Sequence, residues 1–233
     1  MLTIENVETC GWEPALRGMR NPKDSWDRAD SEWEFVEDPS IINPNDEVKF
    51  VMGHNDLHLA VSLAKGGPVH AKFRRMIVVY CDITAPLYWW KEFDTYKVGT
   101  VANSCSTMHR IHAAPLTRNN FAHERLNAFN LNILDTIIHN LNYARQQFID
   151  SGKTDKEAWW QMIQMLPSSY LQRRTVMMNY EVLSNIYHSP RYNHKLDEWR
   201  VFCDWIKTLP YAEYLIVDPT YLEYEEAHKQ FNH

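Results

Sequence analysis

Cysteine is scarce in this chain and scattered. Cys10, Cys81, Cys105 and Cys203 are the four it has in 233 residues, and no two form a Cys-x-x-Cys pair. That spacing excludes a zinc ribbon, and a disulfide framework does not suit a chain this long. Basic runs are missing too. The formal net charge is -6 and Lys and Arg are dispersed, which excludes duplex nucleic-acid binding as the main activity, because phosphates need clustered cations. Only seven glycines occur; no glycine-rich phosphate loop is present, and no Gly-x-Ser-x-Gly elbow. No apolar run approaches the roughly 18 residues of a membrane span. The first residues, MLTIENVETCGWEP, carry glutamates and no apolar core, so no signal peptide is read there. The simplest expectation is a reduced, cytoplasmic protein without a membrane or nucleic-acid partner.

What is abundant is apolar and aromatic. Hydrophobic residues make up 45% of the chain, with 9 Trp, 12 Tyr and 9 Phe. That suffices for an ordinary core and for one large domain over residues 1–233. Flat-ring ligands would suit such a composition, although aromatic core packing explains most cases of it.

Residues 11–50 show little periodicity and read as loops around short elements. NDLHLAVSLAK, 55–65, reads as a helix capped by Asn55 and stopped at Gly66-Gly67. RRMIVVYCDI, 74–83, is β-branched and aromatic and reads as a buried strand. Ala85-Pro86 opens a helix running to about Tyr96. Residues 97–120 have neither period and read as a long loop, the kind that is usually functional or disordered. In 120–150, Leu126, Phe129, Ile133, Ile137, Leu141, Ala144 and Phe148 recur at spacings of three and four, a helical stripe. Thr154 to Glu157 is a capping box for a helix that Pro167 closes. A strand over 170–178, a helix over 179–187 and a last helix over 194–208 complete an α+β pattern: a small sheet against long helices.

The polar stretch WWKEFDTYKVGTVANSCSTMHRIH, 89–112, is either a solvated loop or the lining of a pocket. His109 and His112 are three apart, a spacing that binds metal on a helix, but no acidic third ligand has a recognisable spacing. His54, His58, His123 and His139 read as surface or core groups. Ser104, Cys105 and Ser106 have no assignable base beside them, so they read as hydrogen-bonding groups rather than nucleophiles. Arg191, in SPRYNH just before the last helix, is either a solvated loop residue or an anion anchor where backbone N–H groups are also free.

Taken in order, these pieces resemble the flavin-dependent thymidylate synthase family over residues 55–208. LPSSYLQRRTVMMNYEVLSNIYHSPRYNHKLDEWR is similar to its block of Leu-Pro, strand, Asn-x-Arg, helix with a further Asn, then Arg before the last helix. Asn179 and Asn185 match the flavin-contacting asparagines. Arg191 matches, with a one-residue shift, the arginine that holds dUMP. GPVHAKFRRMIVVYCDITAP is similar to the family's His-x-[Ser/Thr]-x-x-Glu-His segment, strand and Ala-Pro, with His70 on the first histidine. Several positions depart from the pattern. Lys72 stands for Ser or Thr, Arg75 for the acidic residue, Met76 for the second His, Glu181 for the arginine of Asn-x-Arg, Glu92 for a glutamine near the pyrimidine, and Ile163 for an arginine before Leu-Pro. Of the Arg-His-Arg signature only Lys97 keeps a basic group. Asn103 and Ser106 take its Asn and Ser positions if one residue is inserted, and its closing Arg-Tyr is absent unless Arg110 substitutes.

The resemblance implies an enzyme transferring one carbon from methylenetetrahydrofolate to a deoxyuridine nucleotide, dUMP to dTMP or a related pyrimidine modification, with FAD and NADPH. It implies a cytoplasmic homotetramer whose nucleotide pocket forms between subunits. Arg191, Lys97, Glu92, Asn103, Ser104 and Ser106 are then the substrate-binding candidates. His70, Lys72, Arg75, Asn179, Glu181 and Asn185 are the flavin-binding candidates. No protein nucleophile and no metal are implied. The alternative is a nucleotide-binding protein that keeps fold and oligomer without catalysis, because Glu181 beside a flavin phosphate would repel it and lose a forked contact.

Overall fold

The computed structural model describes residues 2–35, 48–189 and 194–220. Its centre is a four-stranded antiparallel sheet of order β1-β4-β6-β5, formed by β1 (Thr3–Cys10), β4 (Val78–Pro86), β6 (Leu171–Asn179) and β5 (Thr100–Ser104). A separate hairpin pairs β2 (Glu32–Phe35) with β3 (Val48–Val51). Strict alternation along β4 buries Val79, Cys81, Ile83 and Ala85, as expected of a strand with one covered face. Register places Cys81 opposite Val176 and Val176 opposite Ala102; the covered face runs from β4 across β6 and ends at the edge strand β5, where Ala102 is exposed.

Helices α1 (Trp12–Arg20), α3 (Leu87–Phe93), α7 (Tyr180–His188) and α8 (Asp197–Ile206) cover that face. Trp89, Trp90, Phe93, Trp199 and Phe202 form a continuous aromatic cluster in this core, so aromatic packing accounts for these five rings. A second core lies between α5 (Ala128–Asp150) and α6 (Lys156–Met165), with Ile111, Leu116 and Phe121 closing it. A four-residue turn, α4 (Thr107–Arg110), leads from β5 to that second core.

The strand over 170–178 and the helices over 179–187 and 194–208 are found within a residue or three of the expected bounds. Other expectations are corrected. Arg74 and Arg75 lie in a 3-10 turn (Ala71–Arg75), and the strand starts at Val78. The span 97–120 is not one loop, since it contains β5 and α4. Residues 11–35 hold a full helix, α1, with Trp12, Ala15, Leu16 and Met19 buried on one face. Helix α2 (His54–Lys65) is capped not by Asn55 but by Asp30, whose carboxylate accepts from Asn55 N at 2.8 Å and Asp56 N at 3.0 Å. Asp155, rather than Thr154, caps α6 by accepting from Ala158 N.

Candidate functional site

The segment between α3 and β5 joins most of the candidates. Gly99 has φ +81, a conformation that L side chains rarely adopt. Its carbonyl accepts from Asn179 N at 3.1 Å, and a Cβ at Gly99 would stand 2.5 Å from Asn179 Nδ2. The β5–β6 junction thus needs glycine here so that the backbone can lie against Asn179. Asn179 ends β6 and caps α7, its side-chain oxygen accepting from Val182 N at 2.9 Å. Two residues on, Glu181 accepts from Arg75 Nε at 2.6 Å. This pair draws the 3-10 turn to the start of α7. His70 and Lys72 are exposed on and beside the same turn, and Asn185 is exposed one helical turn further along α7.

Lys97 and Thr100 line a small cavity of about 140 Å³ together with Phe93, Asp94, Tyr96 and Ala102. Thr100 Oγ1 is buried there without a hydrogen-bond partner among the described residues. An orphaned hydroxyl beside an exposed lysine is a ready contact for a polar, anionic ligand group. Tyr96 reaches the other way. Its hydroxyl lies 3.2 Å from Ser189 Oγ, and its ring meets the Trp199 ring edge-on.

Glu92, on α3, accepts from Trp199 Nε1 at 2.9 Å and lies 3.4 Å from His194 Nε2. His194 Nδ1 accepts from Leu196 N, so its proton sits on Nε2, facing the carboxylate. Arg191 lies outside the described residues, between Ser189 and His194 in sequence. Asn103, Ser104 and Ser106 do not join this group. Asn103 and Ser104 are exposed on β5, opposite Thr175 and Arg174, and Ser106 caps α4 by accepting from His109 N. At roughly 3.3 Å per residue, Ser104 is about 16 Å along the strand from Gly99.

No cysteine joins the candidates. Cys81 is buried in the sheet, and burial pushes its thiol up to about 12, so it holds no thiolate at neutral pH. Among the described residues no group of three or more His, Cys, Asp or Glu gathers as metal ligands, and His109 and His112 sit on α4 and just after it. A larger cleft of about 850 Å³ lies between α3, α8 and the segment before α5, lined by Tyr88, His123, Ser168 and Glu198 among others. None of the described candidate residues lines it. The sequence reading missed Gly99, Thr100, Tyr96 and His194. A lone glycine between Val98 and Thr100 was a legible signal for the first, while the other three become visible only once α3, β5 and α8 are placed.

No protein-family model matches the chain, and no curated protein matches it by sequence. Solved structures match it closely in shape. Thymidylate synthase X from Helicobacter pylori, crystallised with FAD and dUMP, superposes with a TM-score of 0.62 at 14% identity over 94% of this chain and 99% of that one. A UMP/dUMP methylase, PolB from Streptomyces cacaoi, bound with 5-Br dUMP, superposes with a TM-score of 0.56 at 14% identity over 95% of each chain. The chain therefore has the fold of the flavin-dependent thymidylate synthases. It is the fold that the block from Leu166-Pro167 to Arg200 implied, and it also houses the uridylate methylase. Among the described residues no helix is long and apolar enough to cross a membrane.

Proposed function

We propose that this chain is a nucleotide methyltransferase of the flavin-dependent thymidylate synthase type. It takes one carbon from methylenetetrahydrofolate to a deoxyuridine nucleotide, with FAD and NADPH, as a cytoplasmic homotetramer. The observation that carries the reading is convergence. In a fold shared with an FAD- and dUMP-bound synthase, the flavin candidates Arg75 and Glu181 are in direct contact at the start of the helix that Asn179 caps, and Lys97 and Thr100 line a cavity on the same β5–β6 junction.

The residues suit an anionic cofactor there, given the orphaned Thr100 hydroxyl and the close backbone approach at Gly99. FAD, when bound, supplies the hydride chemistry. The chain's own part is to bind and orient. Arg75, Lys97 and Arg191 meet anions. Glu92, fixed by Trp199 and His194, accepts from N–H groups of the base. Asn179 offers its side-chain N–H₂, since its oxygen is taken by the helix cap. Asn103 and Ser104, further along β5, and Ser106, at the cap of α4, lie away from the Asn179 end, so in this reading they complete the pocket of a neighbouring subunit.

Two observations decide between catalysis and binding alone. Purified protein with a flavin absorption spectrum, and calorimetric binding of dUMP, support the enzyme. Colourless protein that still binds dUMP supports the non-catalytic alternative, and protein that binds neither removes both.

A further inference from the structure

Two departures from the family pattern, an arginine at 75 and a glutamate at 181, meet in space. Arg75 Nε donates to Glu181 Oε2 at 2.6 Å, with side-chain exposures of 58% and 13%. The positions at which the pattern has an acid and an arginine therefore carry an arginine and an acid, facing each other. Glu181 is the covered member. It also offsets Arg74, which is buried beneath α7, with Nη1 bonded to Ser184 Oγ and the Leu215 carbonyl and Nε without a partner among the described residues. Arg75 is the outer member. Only its Nε is taken by Glu181, and among the described residues its two terminal nitrogens meet no other acceptor.

We infer that the two charges have been exchanged as a unit, that Arg75 rather than residue 181 is the contact for a diphosphate-bearing cofactor, and that Glu181 is a positioning residue holding it. This rests on the flavin reading above. It also answers the like-charge objection to Glu181, because a carboxylate bonded to the Arg75 guanidinium, and in the field of Arg74, presents little net negative charge to a ligand.

The two accounts of Glu181 differ in sign. If it repels the ligand, E181Q strengthens FAD binding. If it positions Arg75, E181Q weakens binding even though a negative charge has been removed. The test is FAD affinity by fluorescence quenching in wild type, E181Q, R75Q and R75K, each checked for folding by circular dichroism and thermal melting. R75Q should weaken FAD by about tenfold or more, the scale of a charge-assisted hydrogen bond. R75K should recover only part of it, since an ammonium cannot hold the forked geometry. E181Q should weaken it by a smaller factor. Because Arg75 is largely exposed, R75Q spares the fold, so the test survives an E181Q variant too unstable to measure. FAD binding unchanged in R75Q, or strengthened in E181Q, overturns this inference and leaves the flavin reading standing. Absence of FAD binding to wild type removes both.

Discussion

At the scale of single residues, Gly99 and Arg191 make different demands. Gly99 is constrained twice, by a φ of +81 and by Asn179 Nδ2 at 2.5 Å from any added Cβ. Alanine there costs roughly 1–2 kcal/mol for the left-handed backbone alone, and the contact pushes on the side chain that caps α7. Gly99→Ala should therefore lower the melting temperature by several degrees and weaken FAD binding in parallel. Unchanged melting would mean that the β5–β6 junction relaxes freely. Arg191 is the opposite case, a position assigned by resemblance and outside the described residues. Its neighbours in sequence are nonetheless placed beside Glu92 and Tyr96 through His194 and Ser189. Arg191→Ala should leave the melting curve unchanged and weaken dUMP by about one to two orders of magnitude, the loss of a charged hydrogen bond at roughly 1.5–3 kcal/mol. Calorimetric titration of both proteins checks it, and equal affinities would remove the assignment.

At the scale of elements, a buried ion pair ties α1 to α2. Arg20 Nε donates to Asp56 Oδ1 at 2.6 Å, both side chains almost fully covered. Asp56 Oδ2 in turn accepts from Asp30 N, Ser31 N and Ser31 Oγ. Burial alone would raise the Asp56 carboxyl, but the bonds from Ser31, Arg20 and Asp30 outweigh it and hold the group below the ordinary carboxylate value. A depressed carboxyl stabilises the fold fully above its unfolded pKa of about 4. That contribution is lost as pH falls through the lower folded value. Asp56→Asn, which leaves Arg20 buried without its countercharge, should cost about 3–5 kcal/mol at neutral pH. The gap from wild type should narrow in acid. Thermal melts from pH 7 to pH 3 measure it, and a pH-independent gap would mean that Asp56 contributes only shape. Neither this network nor helix α1 was legible in the reading of residues 11–50, although Trp12, Ala15, Leu16 and Met19 carry a helical period, because Trp, Pro, Asp and Asn nearby mask it. Strands β4 and β6 and helices α7 and α8 were legible because each has one covered face that imposes its period. β5 was not. As an edge strand with exposed Val101, Asn103 and Ser104, it has no apolar alternation to read, and only pairing with β6 defines it. The candidate residues were found through the order of motifs, whereas the contact of Arg75 with Glu181 needed coordinates, because 106 residues separate them.

At the scale of the whole molecule, the uncovered surfaces bear on the proposed tetramer. The sheet face opposite the core carries, among the described residues, exposed Tyr80, Val101, Asn103 and Thr175. Asp82, at its centre, is held well below the usual carboxylate range by bonds from Arg173, Thr175 and Asn6, so it stays ionised and paired. The N-terminal part of α5 adds Phe129 and Ile133, expected on the inward stripe and found 72% and 45% exposed. Leu134 and Ile138 face the second core in their place. Exposed apolar groups in two places, one of them an open sheet edge, are a liability for a lone chain in water. The sheet face carries Asn103, with Ser104 and Ser106 following in the chain, the three candidates that lie away from the Asn179 end of β5. A neighbouring subunit seated on the sheet face would cover the apolar residues and bring a second set of Asn and Ser groups to a pocket. Light scattering of the wild type should therefore show a species larger than the 27.6 kDa chain. Val101→Glu places a carboxylate on a side chain that is 62% exposed here, so folding by circular dichroism should be unchanged. The measured mass should nonetheless fall, and dUMP affinity should fall with it, because the pocket loses the neighbour's groups. A wild type that remains at the mass of one chain across concentrations would end the shared-pocket reading. A Val101→Glu variant that loses mass but keeps full dUMP affinity would place the interface on the sheet face and the nucleotide site within a single subunit.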